Sequence, residues 1–157
     1  MKGWGAAALL TVVACAHGPR FTPAQLQRAL DLPARALAGR ALVVTFVATD
    51  CFPCLEDLPN QVELQTQLGG RGLQVVWVGM DAEGPLVLMP FAAQYNLPFP
   101  LVAASDSIRA GTSLFGPIRA VPSTAIISRD GTLLAAFEGL RSREALAPVL
   151  ERALADW

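Results

Sequence analysis

The sequence predicts an α/β fold, a central mixed sheet flanked by helices, on three observations. Two short runs, residues 41–48 and 73–78, are almost continuously apolar and rich in β-branched residues, as strands covered on both faces must be. Each is followed by a segment with helical character, the order that generates parallel strands. The last third carries a hairpin signal, Asp130-Gly131, and then an amphipathic stretch, so an antiparallel half joins the parallel one.

The chain opens with the layout of an export leader: Lys2, the apolar run 6–13, and small Ala14 before Cys15. A spanning helix needs about 20 apolar residues, and this run is shorter, turning polar at His17-Gly18-Pro19-Arg20. The stretch Val12-Val13-Ala14-Cys15 resembles a bacterial lipobox, with Val12 where leucine is usual. That resemblance implies cleavage before Cys15 and lipidation of its sulfur, and so accounts for a third cysteine; an ordinary secretory signal is the alternative. The expected division is a leader over 1–14, a lipid-anchored tether and N-terminal helix over 15–37, and one domain over 38–157.

After the tether, Thr22 can cap a helix whose first position suits Pro23, and helical spacing runs over 23–30. The first buried strand, 41–48, delivers the chain to Asp50-Cys51. From 52 to 68 Leu55, Leu58 and Val62 recur at helical spacing, Gly69-Gly70 supply the stop, and Pro59 is expected to kink the helix without ending it. The second strand ends at Gly79-Met80-Asp81. An inserted helical segment over 87–95 contains Pro90; a short strand is expected over 99–103 and a short helix over 105–114. Strands at 124–128 and 132–137 flank the hairpin turn. Leu146, Val149, Leu150, Ala153 and Leu154 form the apolar side of a last helix capped by Ser142.

Composition narrows the function. With 157 residues, 53% of them hydrophobic, the chain suits one domain with a real core. Its net charge of -1, with Lys2 as the only lysine, offers no basic footprint, so no nucleic-acid partner is expected.

The chemistry is concentrated in Cys51-Phe52-Pro53-Cys54. A cysteine that follows a buried strand and opens a helix sits among free N–H groups and the positive end of the helix dipole, which favour its thiolate. Cys51 is then the attacking sulfur, and Cys54, deeper in the helix, resolves the mixed disulfide. A static structural bridge and half of a zinc site are the other readings. Zinc would need two more ligands, whereas no second Cys-x-x-Cys exists and the only histidine, His17, lies in the tether. No metal and no cofactor are expected.

The ten residues 45–54, Thr-Phe-Val-Ala-Thr-Asp-Cys-Phe-Pro-Cys, resemble the active-site strand and turn of the TlpA/ResA-type thioredoxin-like proteins. Asp57-Leu58-Pro59, Ala120-Val121-Pro122-Ser123-Thr124 and Arg129-Asp130-Gly131 resemble further motifs of that family in the same order, so the likeness runs from about residue 38 to 139. The resemblance implies a thioredoxin-like fold and disulfide exchange, leaning toward reduction. It implies that Pro122, trans by default, is cis and faces the cysteine pair, and that Val121 offers main-chain hydrogen bonds to a bound peptide. It also implies a proton-exchanging role for Asp57, three residues after Cys54 on the same helix face, although the family usually has glutamate there. A plain first-turn acid, as Glu56 is read, is the alternative. Thr45 stands where thioredoxin has a buried aspartate. Asp50 stands where the family has tryptophan, and its charge opposes thiolate formation on Cys51.

The expected activity is therefore thiol-disulfide exchange outside the cytoplasm, on the periplasmic side, with cysteine pairs of exported proteins as partners, an upstream thiol-disulfide donor, and a membrane held through Cys15. A peptide-binding module with a static disulfide is one rival. A thiol peroxidase is another, weakened because Ala48 and Val44 replace the threonine and proline of peroxiredoxins.

Overall fold

The computed structural model describes residues 18–155; Lys2, Cys15, His17 and the expected leader lie outside them. Five strands form one sheet in the order β3-β2-β1-β4-β5. β1 (Ala41–Val47) is central, parallel to β2 (Leu73–Gly79) on one side and antiparallel to β4 (Ser123–Ile127) on the other. β2 pairs in parallel with β3 (Leu101–Ala103), and β4 pairs antiparallel with β5 (Leu133–Glu138). Mixed sheet and flanking helices constitute the thioredoxin-like fold.

Strand side chains alternate between faces, and β1 therefore feeds two cores. Ala41, Val43 and Val47 enter one with Leu73, Val75 and Trp77, covered by α3 (Phe52–Leu68) and α6 (Arg143–Leu154). Leu42, Val44 and Phe46 enter the other with Val76 and Val78. That face is covered by α1 (Pro23–Leu30) and the single turns α2 (Ala34–Leu37) and α5 (Asp106–Arg109), through Leu26, Leu30, Leu37 and Ile108.

The caps follow the local chemistry. Thr22 Oγ1 accepts from Gln25 N–H at 3.2 Å while Gln25 Oε1 accepts from Thr22 N–H at 2.8 Å, a closed capping box. Ser142 caps α6 by accepting from Ala145 N–H at 3.2 Å. α3 runs through Pro59, and α4 (Pro85–Tyr95) runs through Pro90. The expected helix over 105–114 is cut to α5, because Gly111 adopts a left-handed φ of 70° and turns the chain away. β3 starts two residues later than expected, past Pro100, which has no N–H for a ladder.

At the hairpin, Asp130 Oδ1 accepts from Ser128 Oγ at 2.5 Å and Thr132 N–H at 3.1 Å. The lead-in chain docks on this turn. Phe21 N–H donates to Gly131 O at 2.8 Å, Leu133 N–H to Pro19 O at 2.9 Å, and Arg20 pairs with Asp130 at 3.0 Å.

Candidate functional site

β1 ends at Val47, and the next four residues turn the chain into α3. Cys51 N–H donates to Ala48 O at 3.1 Å, which closes that turn. Cys51 is the N-cap of α3, with Phe52 and Pro53 opening the helix where a missing proline N–H costs no bond. Its Sγ accepts from Cys54 N–H at 3.2 Å. The sulfur occupies the position that an oxygen holds in an ordinary cap, in the field of the unpaired amides at the helix start. The two cysteines are joined, with Sγ–Sγ 2.11 Å and Cα–Cα 5.2 Å. Cys51 is 7% exposed and Cys54 2%, so an incoming group reaches Cys51 first. Phe52, between them, is 69% exposed.

A second element holds this turn from the side. Asp81, just past the end of β2, accepts from Thr49 N–H at 3.1 Å and from Thr49 Oγ1 at 2.5 Å. Arg109 on α5 donates to the carbonyls of Met80 and Asp81, at 3.0 and 2.7 Å. Arg109, Asp81 and Thr49, far apart in sequence, thus form a chain of contacts that ends two residues before Cys51. Thr49 and Asp81 were not singled out from sequence; the position of Asp81 after a parallel strand, where α/β sheets gather their sites, is the signal that points to it.

The loop before β4 lies at the same end of the sheet. Val121-Pro122 is a cis peptide bond. The loop is pinned by Ser123 Oγ donating to Ala120 O at 2.6 Å and Gly139 N–H donating to Pro122 O at 2.8 Å. Val121 packs against the core cluster that contains Cys51 and Cys54. Since Ser123 lies opposite Phe46 near the end of β1, the loop and the Cys51 turn share one end of the sheet.

Asp57 sits one turn below Cys54 and is half-buried. Its two oxygens accept from side-chain amides, Oδ1 from Asn60 at 3.1 Å and Oδ2 from Gln61 at 2.7 Å. Gln61 was also missed from sequence, and its signal was plain: a polar residue in the buried row of Cys54, Leu58 and Leu64. Thr45 is buried and shares a hydroxyl hydrogen bond of 3.2 Å with Thr124, so the site of thioredoxin's buried acid is filled by a neutral pair.

A cysteine pair across the first turn of a helix, with a cis-proline loop at the same end of a mixed five-stranded sheet, defines a thioredoxin-like protein-disulfide oxidoreductase. The Redoxin family model matches residues 8–154, and the chain belongs to that family. ResA, a thiol-disulfide oxidoreductase of Bacillus cereus, is 26% identical over 137 residues, spanning 87% of this chain and 76% of that protein. ResA of Oceanobacillus iheyensis is 28% identical over 97 residues, 62% of this chain and 48% of the relative. Among solved structures, a thioredoxin-family thiol:disulfide interchange protein from Chlorobium tepidum TLS superposes with a TM-score of 0.67 at 26% identity, covering 79% and 86% of the two chains. The protein is thus of the ResA/TlpA type. No helix among the described residues is long and apolar enough to cross a membrane.

Proposed function

We propose that this oxidoreductase works outside the cytoplasm as a reductase of cysteine pairs in exported proteins. Two electrons pass from its dithiol to the client. The Cys51 thiolate attacks a client disulfide, forms a mixed disulfide and expels one client sulfur as thiolate. Cys54 then gives its proton to Asp57 and attacks Cys51, forming the Cys51–Cys54 bond and expelling the second client sulfur. An upstream thiol donor restores the dithiol. Val121 and Pro122 form the wall against which an extended client segment lies, its backbone hydrogen-bonding to Val121.

The resemblance of the 45–54 motif carries the direction, and Asp50, exposed beside Cys51, adds a small push of the same sign. Helix-end stabilisation of a thiolate favours the reduced form and makes a pair oxidising. The Asp50 carboxylate works against that stabilisation and moves the pair toward reducing potentials.

The division of the chain follows the same reading: a leader over 1–14, a tether and N-terminal helix over 15–37 with Cys15 lipidated, and the catalytic domain over 38–157. The motif ending at Cys15 supports the anchor. Radiolabelled palmitate that enters the exported wild type and not Cys15→Ala is the expected result, and an unlabelled wild type would exclude it.

The test of the activity is capture in the native host. Cys54→Ser should accumulate mixed disulfides through Cys51 with exported proteins, and Cys51→Ser should accumulate none. A measured potential above that of glutathione would refute the reductase direction.

A further inference from the structure

Gln61 is out of place in the row that α3 buries. Cys54, Leu58 and Leu64 are apolar, whereas Gln61 puts a primary amide at 3% exposure among them. Its Nε2 donates to Asp57 Oδ2 at 2.7 Å, and its Oε1, equally buried, has no hydrogen-bond partner among the described residues. Packing does not account for this arrangement. A leucine or methionine would fill the same volume without an unpaired acceptor.

The geometry explains what the amide does. Helical side chains lean toward the N-terminus, so Gln61 reaches back along α3 to the turn that carries Asp57 and, beyond it, Cys54. Asn60 holds the other carboxylate oxygen at 3.1 Å from the exposed side. Asp57 is therefore gripped between two donors, one in solvent and one in the core. A carboxylate only accepts, so the amide must present Nε2 to it, and the orphaned Oε1 is the remainder of that choice.

We propose that Gln61 is a positioning residue for the second step of disulfide exchange. Its buried amide fixes the Asp57 carboxylate on the Cys54 face of α3, so that the acceptor of the Cys54 proton is in place before the sulfur attacks. This rests on the role given to Asp57 above. The step is balanced as written there: Cys54 loses a proton to Asp57, a bond forms between Cys54 and Cys51, and the client sulfur leaves as thiolate.

The experiment is a stopped-flow reaction of the reduced protein with a symmetric aryl disulfide whose released thiolate is coloured. The first equivalent reports attack by Cys51 and the second reports resolution by Cys54. Wild type, Gln61→Leu, Asp57→Ala and the double variant complete a cycle. Gln61→Leu should leave the first phase unchanged, slow the second about tenfold, and add no slowing once Asp57 is alanine. Gln61→Met should behave alike, and both should unfold at or above the wild-type temperature. A second phase unaffected by Gln61→Leu would overturn the proposal, as would equal slowing with and without Asp57. A wild-type second phase in Asp57→Ala would remove the role of Asp57 and this proposal together, while an intact first phase would leave Cys51 as nucleophile standing.

Discussion

Replacing Asp50 by asparagine removes the charge beside the attacking sulfur while changing little else. With consecutive Cα atoms about 3.8 Å apart, the ends of two adjacent side chains that splay apart are separated by roughly 7 Å, the distance taken for the carboxylate and the Cys51 sulfur. Asp50 is exposed, so water's dielectric applies, and two like charges at that distance repel by about 0.6 kcal/mol. Asp50→Asn should then lower the midpoint of thiolate formation by about 0.4 units. Below that midpoint the thiolate fraction rises about threefold. The rate of attack rises less, about twofold, because a less basic thiolate is a poorer nucleophile. Above the midpoint the same term raises the reduction potential by about 10 mV. The assay is the ultraviolet absorbance of the thiolate in Cys54→Ser, titrated with and without Asp50→Asn at low ionic strength and again at about 1 M salt, where the screening length falls to about 3 Å. A midpoint that stays or rises would refute the reasoning. So would a fall of the same size at high salt, since a through-solvent charge effect cannot survive there.

Two further outcomes rest on single contacts. Thr49→Val removes the hydroxyl bond to Asp81 and keeps the amide bond; a hydrogen bond to a charged group is worth about 1.5–3 kcal/mol, and urea unfolding should show a loss near the lower figure with slower Cys51 attack. An unchanged midpoint would mean that the clamp holds nothing. The Asp130 carboxyl is held below its ordinary value of 3.8 chiefly by the hydrogen bond from Ser128, opposed by burial and helped by Thr132 and the charge of Arg20. A depressed folded value means stability that is present above 3.8 and lost as pH falls through the lower folded value. Asp130→Asn should therefore lose less stability than wild type between neutral and strongly acidic pH, measured by denaturant midpoints, and parallel losses would exclude the link.

Much of the fold was legible because its signals are local. The strand at 41–48, the helix at 52–68 and the cap at Thr22 are written in apolar runs, glycine stops and a Thr-Pro pair, and the structure places each within a residue or so. The turn α2 was invisible, since four residues between Pro33 and Gly39 carry no period. Helix 105–114 was overread because α5 ends where Gly111 turns, a choice made by packing. At the site, the cysteine pair and the cis proline were accessible through motif order. Thr49, Asp81, Arg109 and Gln61 were not, because their meaning lies in contacts across 28 to 32 residues or in which face of a helix is buried.

The docking of the lead-in chain puts it at the end of the sheet away from the cysteine pair. Residues 19–21 are bonded to the turn between β4 and β5, and that turn lies where β1 begins, since Leu42 stands opposite Ile127. Cys51 lies past the other end of β1, seven residues on, or about 20 Å away at strand spacing. The described chain therefore enters at the floor of the sheet and carries its sulfur pair on the roof. The two ends of one strand thus divide the labour, the floor held by the lead-in contacts and the roof left to whatever meets the sulfurs.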